Sequence, residues 1–113
     1  MNIKDGKLLV KLARNSILTY FSNKNISLDE TSKFQDEQGV FITLTKHSKL
    51  RGCIGFPKAV YPLQRAIIEA ARSAAFQDPR FPNVEESEME DICIEVSVLT
   101  VPKLIEVEDY KEY

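Results

Sequence analysis

Two strand-like runs sit close together near the middle of this chain. Val40-Phe41-Ile42-Thr43-Leu44-Thr45 is rich in β-branched and aromatic residues, and Leu50 to Phe56 forms the second run. Only the polar residues Lys46-His47-Ser48-Lys49 lie between them. Strands joined by so short a turn pair antiparallel, because a parallel pair needs a crossover of a dozen or more residues. A β-hairpin is therefore fixed at the centre of the chain.

Helical patterns flank the hairpin. From about Asp5 to Phe21, the residues Leu9, Leu12, Ala13, Ser16, Ile17 and Tyr20 follow the spacing of one helical face. Asp5 is placed to cap that helix. Leu8, Val10, Leu18 and Phe21 fall outside the stripe, so the helix is expected to be covered on more than one side. Asn23 to Gln38 is polar and reads as a connection. Pro62 stands where a first helical turn tolerates it. Leu63, Ala66, Ile67, Ala70, Ala71, Ala74 and Ala75 then trace a face that runs to about Gln77. That face is mostly alanine, so the helix can approach a sheet closely. Arg65, Glu69 and Arg72 lie opposite and are expected to be solvated.

The two prolines of Asp78-Pro79-Arg80-Phe81-Pro82 stop the helix. Glu85 to Asp91 suits one acidic helical turn. Ile92 to Thr100 reads as a strand with Ile92, Ile94, Val96 and Val98 on one face; Pro102 ends it, and Leu104 to Val107 suits a short edge strand. The order helix, hairpin, helix, strand predicts an α+β fold, an antiparallel sheet with packed helices. A length of 113 residues with 43% apolar and 28% charged residues fits one globular domain. The chain holds no run of 18 apolar residues, and Met1 to Asp5 lacks the apolar stretch of a signal peptide, so a cytoplasmic location is expected. Cys53 and Cys93 are then expected to be free thiols. One histidine and two distant cysteines give no zinc spacing, so neither a metal nor a cofactor is expected.

Charge is spread unevenly. No acid occurs between Glu37 and Glu69, a stretch that carries Lys46, Lys49, Arg51, Lys58 and Arg65. From Glu85 onward ten acids face only Lys103 and Lys111. A locally basic site favours an anionic ligand or a thiolate. The alternative is that the two blocks neutralise one another in the fold. The net charge of −2 and the acidic final third argue against a nucleic-acid-binding protein.

The basic block surrounds Leu50-Arg51-Gly52-Cys53-Ile54-Gly55. Strict strand alternation sends Leu50, Gly52, Ile54 and Phe56 one way and Arg51, Cys53 and Gly55 the other, with the Arg51 and Cys53 Cα atoms about 7 Å apart. A guanidinium beside a thiol favours the thiolate, which is one condition for a nucleophile. Glycine at Gly52 and Gly55 leaves room for a ligand or another backbone. Should the strand of Ile92 lie nearby, Glu95 and Ser97 share the face of Arg51 and Cys53, and Glu95 could orient Arg51 or accept a proton. The competing reading is that Cys53 is a small core residue, the commoner fate of a strand cysteine and the one expected for Cys93. His47 lies in a polar turn and is expected to be solvated.

The hexapeptide resembles the signature of the AMMECR family, and its surroundings match in order. Gly39 to Leu44 resembles the preceding strand, Ala74 to Pro82 with its Asp78-Pro79-Arg80-Phe81 core a second landmark, and Ile94 to Leu99 a third. The resemblance implies an α+β domain of undefined activity. It implies a ligand or active site around Arg51 and Cys53, with Asp78 and Arg80 as neighbours. The structural alternative has Asp78 capping a helix end and Arg80 pairing with an acid. Some bacterial relatives resemble parts of larger proteins with a Memo-like or radical-SAM component, which implies a protein partner and an accessory place in a modification pathway. Family domains usually continue well beyond the position matching Ile105, so residues 1–113 are expected to form a single domain lacking the family's C-terminal portion. A shortened domain could expose a sheet edge or pair with a second copy.

Two functions follow. In one, Cys53 and Arg51 carry chemistry on a small anionic substrate, and Gly52, Gly55, Glu95, Asp78 and Arg80 bind it. In the other, the same strand is a docking surface for a protein partner.

Overall fold

The computed structural model describes residues 3–99, together with the backbone of a last strand at 104–108. Thr100, Pro102 and the acidic residues after Glu108 lie outside the described residues. The elements are α1 (Ile3–Ser22), β1 (Gly39–Lys46), β2 (Lys49–Phe56), α2 (Leu63–Phe76), a 3-10 turn (Glu86–Asp91), β3 (Ile92–Leu99) and β4 (Leu104–Glu108). This is the expected α+β order. The four strands form one antiparallel sheet in the order β2-β1-β3-β4.

One face of the sheet carries the core. Val40, Ile42 and Leu44 of β1 and Ile92, Ile94, Val96 and Val98 of β3 are buried against both helices. The alanine face of α2 is buried from Leu63 to Ala75. It lets the helix settle so close that a Cβ on Gly52 would stand 2.2 Å from the carbonyl oxygen of Ala74. Only glycine fits there. Gly52 therefore makes room for another backbone, one of the two uses its sequence position allowed.

The predicted α1 stripe holds at Leu9, Leu12, Ala13, Ser16 and Ile17, which are buried, but not at Tyr20, which is 57% exposed. Buried Ser16 satisfies its hydroxyl by donating to the Leu12 carbonyl one turn back. Arg72 departs from expectation in the opposite sense. It is half-buried, and its Nε donates to the Ser16 carbonyl at 2.8 Å, tying α2 to α1. The long connection before β1 is used rather than loose. The Asp36 and Phe34 carbonyls accept from the Leu63 and Gln64 amides, two of the N–H groups that a helix start leaves without partners.

Among the described residues, no helix is long and apolar enough to cross a membrane.

Candidate functional site

Strand alternation fails once, inside the signature. The β1–β2 register runs Val40–Phe56, Ile42–Ile54 and Leu44–Gly52, then shifts, so that Thr45 faces Leu50 and Arg51 is the extra residue of a β-bulge. The shift swaps the faces of the first two signature residues. Leu50, predicted to face the core, is 43% exposed opposite Thr45. Arg51, predicted to share the face of Cys53, reaches the helix-bearing side of the sheet.

There Arg51 is fully engaged. Its Nε and Nη2 bond both oxygens of Glu88 at 2.9 and 3.0 Å, and Nη1 and Nη2 donate to the carbonyls of Pro82 and Asn83. Lys46 adds a third contact to Glu88 at 3.2 Å. Arg51 above all, with the Glu85 amide and Lys46, lowers the Glu88 pKa to about 2, against the opposing effect of its burial. Glu88 also closes a capping box with Glu85 at the start of the 3-10 turn. His47 stands 3.9 Å from Asp91 at the same end. In this region the basic and acidic blocks of the sequence meet and neutralise each other.

The Cys53 neighbourhood is separate. The helix-free face of the sheet is laid out in rows by the register: Leu50–Thr45–Cys93, Cys53–Thr43–Glu95 and Gly55–Phe41–Ser97. Cys53 Sγ lies 3.3 Å from Thr43 Oγ1, and either group can donate. Glu95 is on the same face but beyond β1, about 10 Å from Cys53 by strand spacing. It therefore neighbours Thr43, not Arg51. Gly55 serves Phe41: a Cβ there would lie 2.1 Å from the ring.

β2 is an edge strand, and its outward-facing rung at Cys53 is filled by side chains. The Cys53 amide donates to Asp78 Oδ2 at 3.0 Å, and Arg80 Nη2 donates to the Cys53 carbonyl at 3.4 Å. Asp78 and Arg80 are themselves joined by two bonds, Nε to Oδ1 at 3.0 Å and Nη2 to Oδ2 at 2.7 Å. The Asp78 side chain is buried, while that of Arg80 is 55% exposed. The hydrogen bonds from Arg80, and next the Cys53 amide, hold the Asp78 carboxyl well below the usual carboxylate range. Arg80 is pushed up in return, chiefly by Asp78, and it interacts electrostatically with Cys53. The prolines at 79 and 82 restrict the loop that delivers both groups.

The structure thus brings together Cys53, Asp78 and Arg80, places Glu95 one strand beyond, and puts Arg51 with Glu88. Thr43 and Glu88 went unnoticed in the sequence. Without the bulge, the turn register would set Thr43 opposite Gly52, and nothing distinguishes Glu88 within an acidic run.

Comparison with known proteins agrees with this architecture. The AMMECR1 family model matches residues 10–112. The Methanopyrus kandleri protein MK0488 is 50% identical over all of this chain and 57% of its own length. A Thermococcus onnurineus protein is 52% identical over 92% of this chain and 56% of its own. The crystal structure of the uncharacterized protein PH0010 from Pyrococcus horikoshii superposes with a TM-score of 0.80 at 42% identity, over 88% of this chain and 53% of that one. The chain spans about half the length of the relatives it matches.

Proposed function

The chain belongs to the AMMECR1 family, and we propose that its signature strand carries a site for a small anionic ligand, with the Cys53 thiol as the reactive group and Arg80 as the anchor for the anion. One observation carries this reading. The Arg80 guanidinium is fixed beside Cys53 by the buried Asp78, yet is 55% exposed, and none of its bonds to Asp78 or Cys53 uses Nη1. A rigid guanidinium with an open edge suits a carboxylate or phosphate. Asp78 is a positioning residue that orients both the guanidinium and the Cys53 backbone. Thr43 offers a hydroxyl to the sulfur or to the ligand. Arg51 holds the strand to the 3-10 turn from the far side.

The pairing of anion anchor and thiol can be read with two alkylating agents. Iodoacetate carries a carboxylate and iodoacetamide does not; both leave a thioether as iodide departs. The ratio of their rates at Cys53 should exceed the ratio at Cys93 by about 10-fold, near 1.4 kcal/mol, and Arg80→Met should abolish the excess. Equal ratios at the two cysteines would sink the proposal.

The docking reading rests on a different residue. Leu50, 43% exposed on the face of Cys53, suits a protein contact. A Leu50→Glu variant that keeps the iodoacetate preference but loses a partner retained by the parent would favour it.

A further inference from the structure

A second candidate site lies away from Cys53, at the far end of α1. An open cavity of about 630 Å³ is lined by Tyr20, Ile26, Arg72 and Thr19 together with the run Asn23-Lys24-Asn25. That volume is in the range of small-molecule sites. Its lining carries two cations and no acid. The end of a helix ordinarily repels anions, because its last carbonyls are unpaired. Here one of those carbonyls, that of Thr19, accepts from the Lys24 amide. One turn earlier, Arg72 Nε donates to the carbonyl of Ser16 and the Thr19 hydroxyl to that of Asn15. Asn23, with φ at 56°, takes the left-handed position that closes the helix. Arg72 Nη2 also reaches the Thr19 hydroxyl, and neither Arg72 contact uses Nη1.

The third observation is Tyr20. It continues the apolar stripe of α1, yet it is 57% exposed. Its ring is held rather than loose, stacked on Phe76 with centroids 4.2 Å apart and edge-on to Phe21 at 6.3 Å. A fixed aromatic ring, backed by Phe76 and 57% exposed, beside two cations and two amides has the composition of a receptor for a planar ring that bears an anionic group.

We propose that this cavity binds a ring-bearing anion, with Lys24 and Arg72 taking the charge, Tyr20 contacting the ring and Asn23 and Asn25 supplying polar contacts. The site is independent of the Cys53 reading, and either can fail alone.

The test is a heteronuclear NMR titration of the full chain with three probes: adenosine monophosphate, inorganic phosphate and adenosine. The monophosphate should shift the amides of residues 19–26 and bind at least about 10-fold more tightly than either half. Lys24→Glu, an exposed substitution that spares the fold, should weaken it by a similar factor. Tyr20→Leu, which keeps an apolar side chain over Phe76, should weaken adenosine monophosphate but not phosphate. The proposal is overturned by any of three results: no shift at 19–26 up to about 10 mM probe, a response to phosphate that equals the response to the monophosphate, or a Lys24→Glu variant that binds as the parent does.

Discussion

The two ends of the signature strand work in different surroundings. From Lys49 to Gly52, β2 is fastened to the helix-bearing side: Arg51 grips Glu88 and two carbonyls, and Gly52 lies against the Ala74 backbone. From Cys53 to Phe56 it is an edge strand steadied by Asp78 and Arg80, with its thiol and Gly55 on the opposite face. An arginine and a cysteine two positions apart would ordinarily be read as partners. Here one bulge separates them, and Arg80, 27 residues downstream of Cys53, takes the place beside the thiol. Adjacency in a motif is a weaker guide to adjacency in space than register is.

The largest expected effect falls on the fastened end. Gly52→Ala sets a methyl group against a main-chain oxygen that cannot yield, so we expect a loss of about 3 kcal/mol or more and a fall in Tm of at least about 10 °C. A melting curve within about 3 °C of the parent would show that α2 does not press on β2 as described. Next comes the pair Arg51 and Glu88. A double-mutant cycle with Arg51→Met and Glu88→Gln should give a coupling of about 1–3 kcal/mol in chemical denaturation, while Cys53 alkylation changes less than about 2-fold. A change at Cys53 as large as that produced by Arg80→Met would show that the two ends of β2 act as one unit.

Acid sharpens the same contrast. The Glu88 pKa is about 2 in the fold, below the 4.5 of an unperturbed glutamate. The unfolded chain therefore binds the proton first as pH falls. The stability Glu88 contributes is complete above about pH 4.5 and is lost progressively toward pH 2. Asp78 adds to the loss at the acid end, since its pKa is also depressed. Urea midpoints measured across this window should fall less steeply in Glu88→Gln than in the parent. Parallel slopes would remove Glu88 from the account. The smallest effect is expected at Gly55→Ala. The added methyl meets the Phe41 ring, which can swing on an open face, so we expect a loss of about 1 kcal/mol and a raised accessibility of Cys53 to iodoacetamide.

Much of the fold was legible because it rests on periodicity. The alanine face of α2 and the alternation of β3 specify what is buried with no knowledge of the rest. The hairpin was legible from the four polar residues that join two β-rich runs, too few for a crossover. The site was less so. The side reached by Arg51 depends on a bulge, and a bulge has no signature in side-chain pattern when neither flanking residue is obligately buried. The proximity of Asp78 and Arg80 to Cys53 came from the family resemblance; the residues alone suggested a helix cap and an ion pair. Only the ion pair holds, and its acid is Asp78 itself; the Asp78 carboxylate accepts from Arg80 and the Cys53 amide rather than from a helix end. Tyr20 continues the stripe, but a stripe cannot reveal that its last member stays more than half exposed.

The bulge at Arg51 also sets a parity. Before it, the even-numbered Leu50 faces outward; after it, the odd-numbered Cys53 and Gly55 do. Deleting Arg51 would restore regular alternation and leave Leu50, Cys53 and Gly55 on the outward face, whereas a regular ladder that kept all six residues with Leu50 outward would carry the thiol into the core. A graft of this hexapeptide onto another hairpin would present Leu50 and the thiol on one face only if the half-step travelled with it.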